Sequence, residues 1–164
     1  MSPVATSGTA VVSLPADDEI LITREFDAPK HLVYKAWTTP ELVRRWWPGK
    51  RGEMTSAEID LRVGGSWRYV MVAHGGYEVA FHGEYREIVP DERVVYTEVY
   101  EGAPEGGEPA VNVVTFTEVE GRTVLEALTK CPSREVRDLI IDSGMEVGMQ
   151  QGMDILEQVA IELR

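Results

Sequence analysis

The chain predicts an α+β fold: an antiparallel sheet of about six or seven strands covered by a long C-terminal helix. Three observations predict it. From Met54 to Thr129 apolar and polar residues alternate with period two, in segments separated by short Gly-, Pro- and Asp-rich turns. Ser133 to Arg164 instead reads as one helix, with Gly144, Gly148 and Gly152 at every fourth place and Met145, Met149 and Met153 one position after them. Strands joined by short turns build a meander that buries one face, and a helix is the natural cover for that face. Glycine costs about 1 kcal/mol against alanine inside a helix. Three on one stripe therefore point either to close contact with the sheet or to space kept for a ligand.

The elements follow in order. Glu19 to Asp27 partly alternates and predicts a first strand. Pro29 opens a short helix with Leu32, Val33, Ala36 and Trp37 on one side. Thr39-Pro40-Glu41 starts a second: Thr as N-cap, Pro at the first helical position, an acid in the positive first turn. Pro48-Gly49 ends it. Strands are then predicted at Ser56 to Val63, Ser66 to Ala73, Tyr77 to Val89, Arg93 to Tyr100, Val111 to Glu118 and Thr123 to Thr129. The turns between them include Gly75-Gly76, Pro90-Asp91-Glu92 and Glu120-Gly121. Gly102 to Pro109 reads as a mobile acidic loop, and Ser133 as the cap of the terminal helix. The expected organisation is a flexible tail over residues 1–18 and a single domain over 19–164.

Composition removes several function classes. The 164 residues carry 28 acids and 16 bases, a net charge of −12, which argues against nucleic-acid or anionic-membrane binding. No apolar run approaches the roughly 20 residues of a membrane span, and the N-terminus does not read as a secretory signal. The one cysteine, Cys131, excludes an internal disulfide and fits a reducing cytoplasm. It reads as a structural thiol, or as a reactive one if its setting is basic. His31, His74 and His82 have no metal-ligand spacing, so no metal is expected, and no cofactor fingerprint occurs.

Alternation sorts the candidate site. Trp67, Tyr69 and Met71 share one face of their strand; Phe81 and Tyr85 share another; Tyr96, Glu98 and Tyr100 share a third. With Phe116 and the methionine stripe, Met145, Met149 and Met153, they form the expected lining of a pocket between sheet and helix. Glu98 is the sharpest candidate. Pointing inward, its carboxyl would have a raised pKa and could hold a cation or act as a base. Pointing to a rim, it would be a solvated acid. Trp46 and Trp47 read as core anchors or as a gate over the pocket mouth. Arg44, Arg45, Lys50 and Arg51 read as a solvated basic face or as the seat of an anionic group.

Five segments carry a family resemblance: FDAPKHLVYKAWTTPELVRRWW (26–47), IDLRVGGSWRY (59–69), FHGEYREIVPDERVVYTE (81–98), VTFTEVEGRTVLEAL (114–128) and SGMEVGMQQGMDILEQV (143–159). In register they resemble the START-like superfamily (SRPBCC, helix-grip fold), and within it the family of the activator of heat-shock protein 90 ATPase homologue. The resemblance implies a curved sheet gripping the C-terminal helix around a hydrophobic cavity. It also implies a choice of functions: binding of a small apolar or amphipathic ligand, cyclase- or aromatase-like catalysis with Glu98 as base, or regulation of a chaperone in a stress response. The eukaryotic co-chaperone carries a separate domain ahead of this one, whereas about 18 residues precede the first predicted strand here. A homodimer through a strand edge or the helix is compatible with the pattern, but no residue specifies it.

Overall fold

The computed structural model describes residues 9–102 and 108–164. Its strands are β1 (Val11–Ser13), β2 (Glu19–Phe26), β3 (Gly52–Ile59), β4 (Ser66–Ala73), β5 (Glu78–Val89), β6 (Arg93–Tyr100), β7 (Ala110–Val119) and β8 (Arg122–Lys130). Its helices are α1 (Lys30–Thr38), α2 (Pro40–Trp46), α3 (Arg134–Asp142) and α4 (Met145–Glu162). The strands form one antiparallel sheet in the order β1-β2-β8-β7-β6-β5-β4-β3. From β3 to β8 the sheet is the predicted meander. The α1–α2 connection carries the chain from β2 to the far edge.

The sheet has eight strands where six or seven were expected, and the extra one comes from the stretch read as tail. Val11–Ser13 pairs with Leu21–Thr23 as an edge strand, so a flexible tail over 1–18 does not hold for these residues. Gln150 of α4 ties the segment down. Its side-chain amide donates to Ala10 O at 2.8 Å, and its carbonyl accepts from Ala10 N at 3.0 Å. The loop expected over 102–109 lies largely outside the described residues.

β3 starts four residues earlier than predicted. Its Gly52 runs so close to β4 that a Cβ would lie 2.2 Å from Val72 O. It ends at Ile59 because Asp60 to Gly65 folds into a turn, closed by Asp60 N to Ser66 O at 2.9 Å and Gly65 N to Arg62 O at 2.8 Å.

The single terminal helix is also corrected: it is two helices, broken at Ser143-Gly144. Gly144 takes φ 81°, a left-handed conformation that stops the α3 ladder and turns the chain into α4. Ser133 does cap α3, accepting from Val136 N at 3.2 Å. Thr39 stands at the α2 N-cap, but its hydroxyl makes no capping bond.

Cross-strand partners project to the same face. The pairs Tyr69↔Phe81, Tyr85↔Tyr96, Tyr96↔Asn112, Asn112↔Thr129 and Thr129↔Ile20 therefore define one inner face across six strands. That face, with α1, α2 and α4, encloses the core around Phe26, Val33, Val43, Val94, Leu125 and Leu156.

The remaining helix glycines serve close packing, and their partner is not the sheet. A Cβ on Gly152 would meet Trp46 O at 3.0 Å; one on Gly148 would meet the Arg51 guanidinium at 2.4 Å. Helix α4 is thus pressed against the end of α2 and the segment that follows it.

Candidate functional site

The register brings nine predicted lining residues onto the inner face: Trp67, Tyr69, Met71, Phe81, Tyr85, Tyr96, Glu98, Tyr100 and Phe116. Apart from Phe116, their rings form a cluster joined through Trp47. Trp67 lies 4.7 Å from Tyr69 and 5.5 Å from Tyr96, and Tyr85 lies 5.9 Å from Tyr96. Phe81 lies 5.1 Å from Tyr100. The indole of Trp67 also donates to Thr97 O at 3.1 Å, crossing Gly83, where a side chain would block the path.

The two tryptophans of α2 divide the roles left open for them. Trp46 is a buried anchor whose indole donates to Ala36 O at 2.9 Å. Trp47 is half-buried and meets both Tyr69 and Phe81 edge-on at 5.4 Å. The contacts of Gly148 and Gly152 set the first turns of α4 near this place.

Burial varies across the predicted lining. Trp67, Tyr69, Met71 and Tyr85 are buried, and so are Phe116 and Met153. Phe116 belongs with α1, meeting Tyr34 at 5.5 Å and Trp37 at 6.2 Å. It sits four residues along β7 from Asn112, about 13 Å at strand spacing. Phe81, Tyr96, Glu98, Met145 and Met149 are half-buried, and Tyr100 is exposed at the rim.

Glu98 lies on the inner face, half-buried and two residues from the exposed rim residue Tyr100. It stands opposite Ala110, whose methyl leaves space before it. Asn112 donates its amide to one Glu98 oxygen at 3.1 Å, and Thr129 donates its hydroxyl to the Asn112 carbonyl at 2.7 Å. The file Glu98–Asn112–Thr129 thus runs across three strands. Sequence reading missed Asn112 and Thr129. The signal was a lone amide on the inward side of Ala110–Val119, among Ala110, Val114 and Phe116.

Burial pushes the Glu98 carboxyl above its ordinary range, and the Asn112 amide offsets this in part. Burial likewise pushes the Tyr69 and Tyr96 phenols well up. The charges of Tyr85, Tyr96 and Glu98 add to the effect at Tyr69, and those of Glu98 and Tyr85 at Tyr96. Three phenols and a carboxyl therefore share one poorly solvated neighbourhood, and all are held neutral more readily than in water. The Cys131 thiol is pushed up by burial and by Asp18, opposite to an activated nucleophile.

Elsewhere the surface is arranged for structure. Glu101 takes paired bonds from Arg68 at 2.9 Å and one from His82 at 2.9 Å; these hold its carboxyl down to about 2. The basic group of α2 is dispersed: Arg45 pairs with Glu162, Arg44 donates to Met54 O, and Arg51 lies against Gly148. Among the described residues no cluster of three His, Cys, Asp or Glu side chains could hold a metal ion. No helix among them is long and apolar enough to cross a membrane.

Two open depressions are described. One of about 320 Å³ lies on the outer face between Leu21, Val113 and Leu128; one of about 520 Å³ lies by Met54, Ala73 and His74. Neither touches Glu98 or α4.

Comparison with known proteins places the architecture. A Rhodobacter sphaeroides protein is 21% identical with a TM-score of 0.85, covering 94% of this chain and 99% of its own. A Mycobacterium smegmatis protein is 22% identical with a TM-score of 0.82, covering 92% and 96%. An HSP90 activator from Plasmodium falciparum is 25% identical with a TM-score of 0.55, covering 68% and 71%. No curated protein matches in sequence. The family model described as activator of Hsp90 ATPase homolog 1-like protein matches residues 27–160. The family expected from the five sequence segments is therefore the one found, and the chain belongs to the activator of Hsp90 ATPase homolog 1-like proteins.

Proposed function

We propose that this is a cytoplasmic binding protein for a small amphipathic molecule, taken up where the inner face of β5 and β6 meets the first turns of α4. One observation carries the reading. Phe81, Tyr96, Glu98, Met145 and Met149 keep solvent-accessible surface beside a fully buried aromatic core. A half-covered apolar group beside a carboxyl suits a ligand that is oily with one polar end. Apolar burial would drive uptake at about 25 cal/mol per Å² removed from water, and methionine adapts its shape to different ligands. The buried, unactivated Cys131 thiol suits a reducing compartment.

The test is saturable uptake of the neutral fluorescent probe N-phenyl-1-naphthylamine, with one site per chain. Met149→Trp should fill the space and abolish uptake while leaving the melting temperature within a few degrees. Unchanged uptake in that variant would remove the site.

A second reading follows from the family and from the resemblance to the Plasmodium HSP90 activator: the domain acts on a chaperone of the Hsp90 class during stress. Added protein should then raise the chaperone's ATPase rate in a saturable manner. A flat titration would end this reading.

A further inference from the structure

The chemistry around Glu98 restricts what the polar end of a ligand can be. Tyr96 and Tyr100 flank Glu98 on β6, Asn112 and Ala110 stand across β7, and Tyr69 and Tyr85 come from β4 and β5. Thr129 lies behind Asn112 on β8. Among the described residues no lysine, arginine or histidine pairs with Glu98, and only one of its oxygens has a hydrogen-bond partner. The Asn112 amide reaches only one of the two oxygens, while its carbonyl accepts from Thr129.

A half-buried carboxylate without a counter-ion is costly, and a protonated one without an acceptor leaves a donor unmet. The second Glu98 oxygen is not among the buried polar atoms that lack a partner, so it is open to water, and the polar end of a ligand can take that water's place. The groups bordering that position decide the sign of that end. Aromatic rings present negative faces, which attract cations and repel anions. The protein supplies phenols, an indole and a carboxyl here, and among the described residues no cation is paired with Glu98; the cation indicated nearby is Arg137, which acts on the same Cys131 thiol as Glu98 does.

Building on the binding reading above, we propose that the ligand is an organic ammonium: a chain or ring whose charged nitrogen meets the unpartnered Glu98 oxygen while its apolar part lies along Phe81, Met145 and Met149. The other simple head groups fit worse. A carboxylate or phosphate would face Glu98 with like charge. A hydroxyl could satisfy one bond but would draw nothing from the rings. Phe81 and Tyr100, tilted at 5.1 Å, stand at the open side, so the site would accept alkylated as well as primary ammonium groups.

Displacement of N-phenyl-1-naphthylamine by three eight-carbon chains, at neutral pH and below their micelle concentrations, tests this. Octylammonium should displace the probe at a concentration at least tenfold lower than octanol, and octanoate should be weakest. Glu98→Gln, which keeps the shape and the Asn112 bond, should abolish the advantage of octylammonium over octanol. Probe uptake with octanol equal to or better than octylammonium, or an advantage that survives in Glu98→Gln, would overturn the ammonium proposal while leaving the binding site intact. Absence of probe uptake in the native protein would instead overturn the binding reading, and the ammonium proposal with it. The comparison of the three chains on native protein stands whether or not the variant folds.

Discussion

The guanidinium of Arg24 is completely buried and lies 2.9 Å from the Asp154 carboxylate. Glu157, on the same helix, stands 3.5 Å from it and also accepts from Asp27 N at 2.8 Å. Arg24 occupies the inner face of β2 between Ile22 and Phe26, with its guanidinium carbon 4.5 Å from the centre of the Phe26 ring. It is a charged link between the sheet and α4. Arg24→Ala should cost about 3–5 kcal/mol, because it removes the fully buried member of an ion-pair group together with its packing on Phe26. Asp154→Ala should cost less than about 1 kcal/mol, since Asp154 is well exposed and Glu157 remains. Urea denaturation measures both; equal costs would mean that burial of Arg24 does not set the energy.

Gly83 should be the least replaceable glycine of the sheet. An added Cβ would sit 1.7 Å from Thr97 O and 2.6 Å from the Trp67 indole nitrogen. Gly83→Ala should therefore push β5 from β6, break the Trp67–Thr97 bond and cost about 1–3 kcal/mol or more. A lowered melting temperature with red-shifted tryptophan emission is the expected result. A silent substitution would show that Trp67 does not depend on this gap.

Gly144 and Gly148 should separate although they are four residues apart. Gly144→Ala meets no neighbour within 4 Å, but it forces a left-handed conformation on a side chain, at about 1–2 kcal/mol. For Gly148→Ala the nearest atoms, from 2.4 Å, belong to the far end of the flexible Arg51 side chain, and the change gains about 1 kcal/mol of helix preference, so its net effect should be small. Thermal melts of the pair decide it, and the reverse order would argue that α3 and α4 are one helix in solution.

The pH dependence of stability should carry the mark of Glu98. Its folded pKa is raised from the ordinary 4.5, so the native state holds the proton more tightly than the unfolded chain does. Its favourable contribution is complete below about pH 4.5 and is lost as pH rises through the folded value. Glu98→Gln should thus be more stable than native protein at neutral pH, and the difference should vanish in acid. A difference independent of pH would place the carboxyl in water.

The strand alternation, the turn residues and the Ser133 cap were sufficient to predict the meander and the inward face of Glu98's neighbours. These are local signals: a period of two assigns each side chain to one of two faces, and cross-strand pairing then carries the choice from strand to strand. The break at Gly144 was hidden because glycine at helical spacing looks the same inside a helix and at its cap. Val11–Ser13 was hidden because so short a strand has no period; its order depends on Leu21–Thr23 and Gln150, both distant in the chain.

What the sequence determined by itself, then, was which side chains share a face within each strand. Tertiary structure alone decided what each of them meets. Asn112 reached Glu98 through strand pairing, Arg24 found its carboxylates through the docking of α4, and Gly148 and Gly152 were claimed by Arg51 and Trp46 instead of by a ligand. The physical reason is range. Periodicity acts over neighbouring residues, whereas the partner of a buried charge or a bare helix face is chosen by packing between segments that the chain brings together only when it folds.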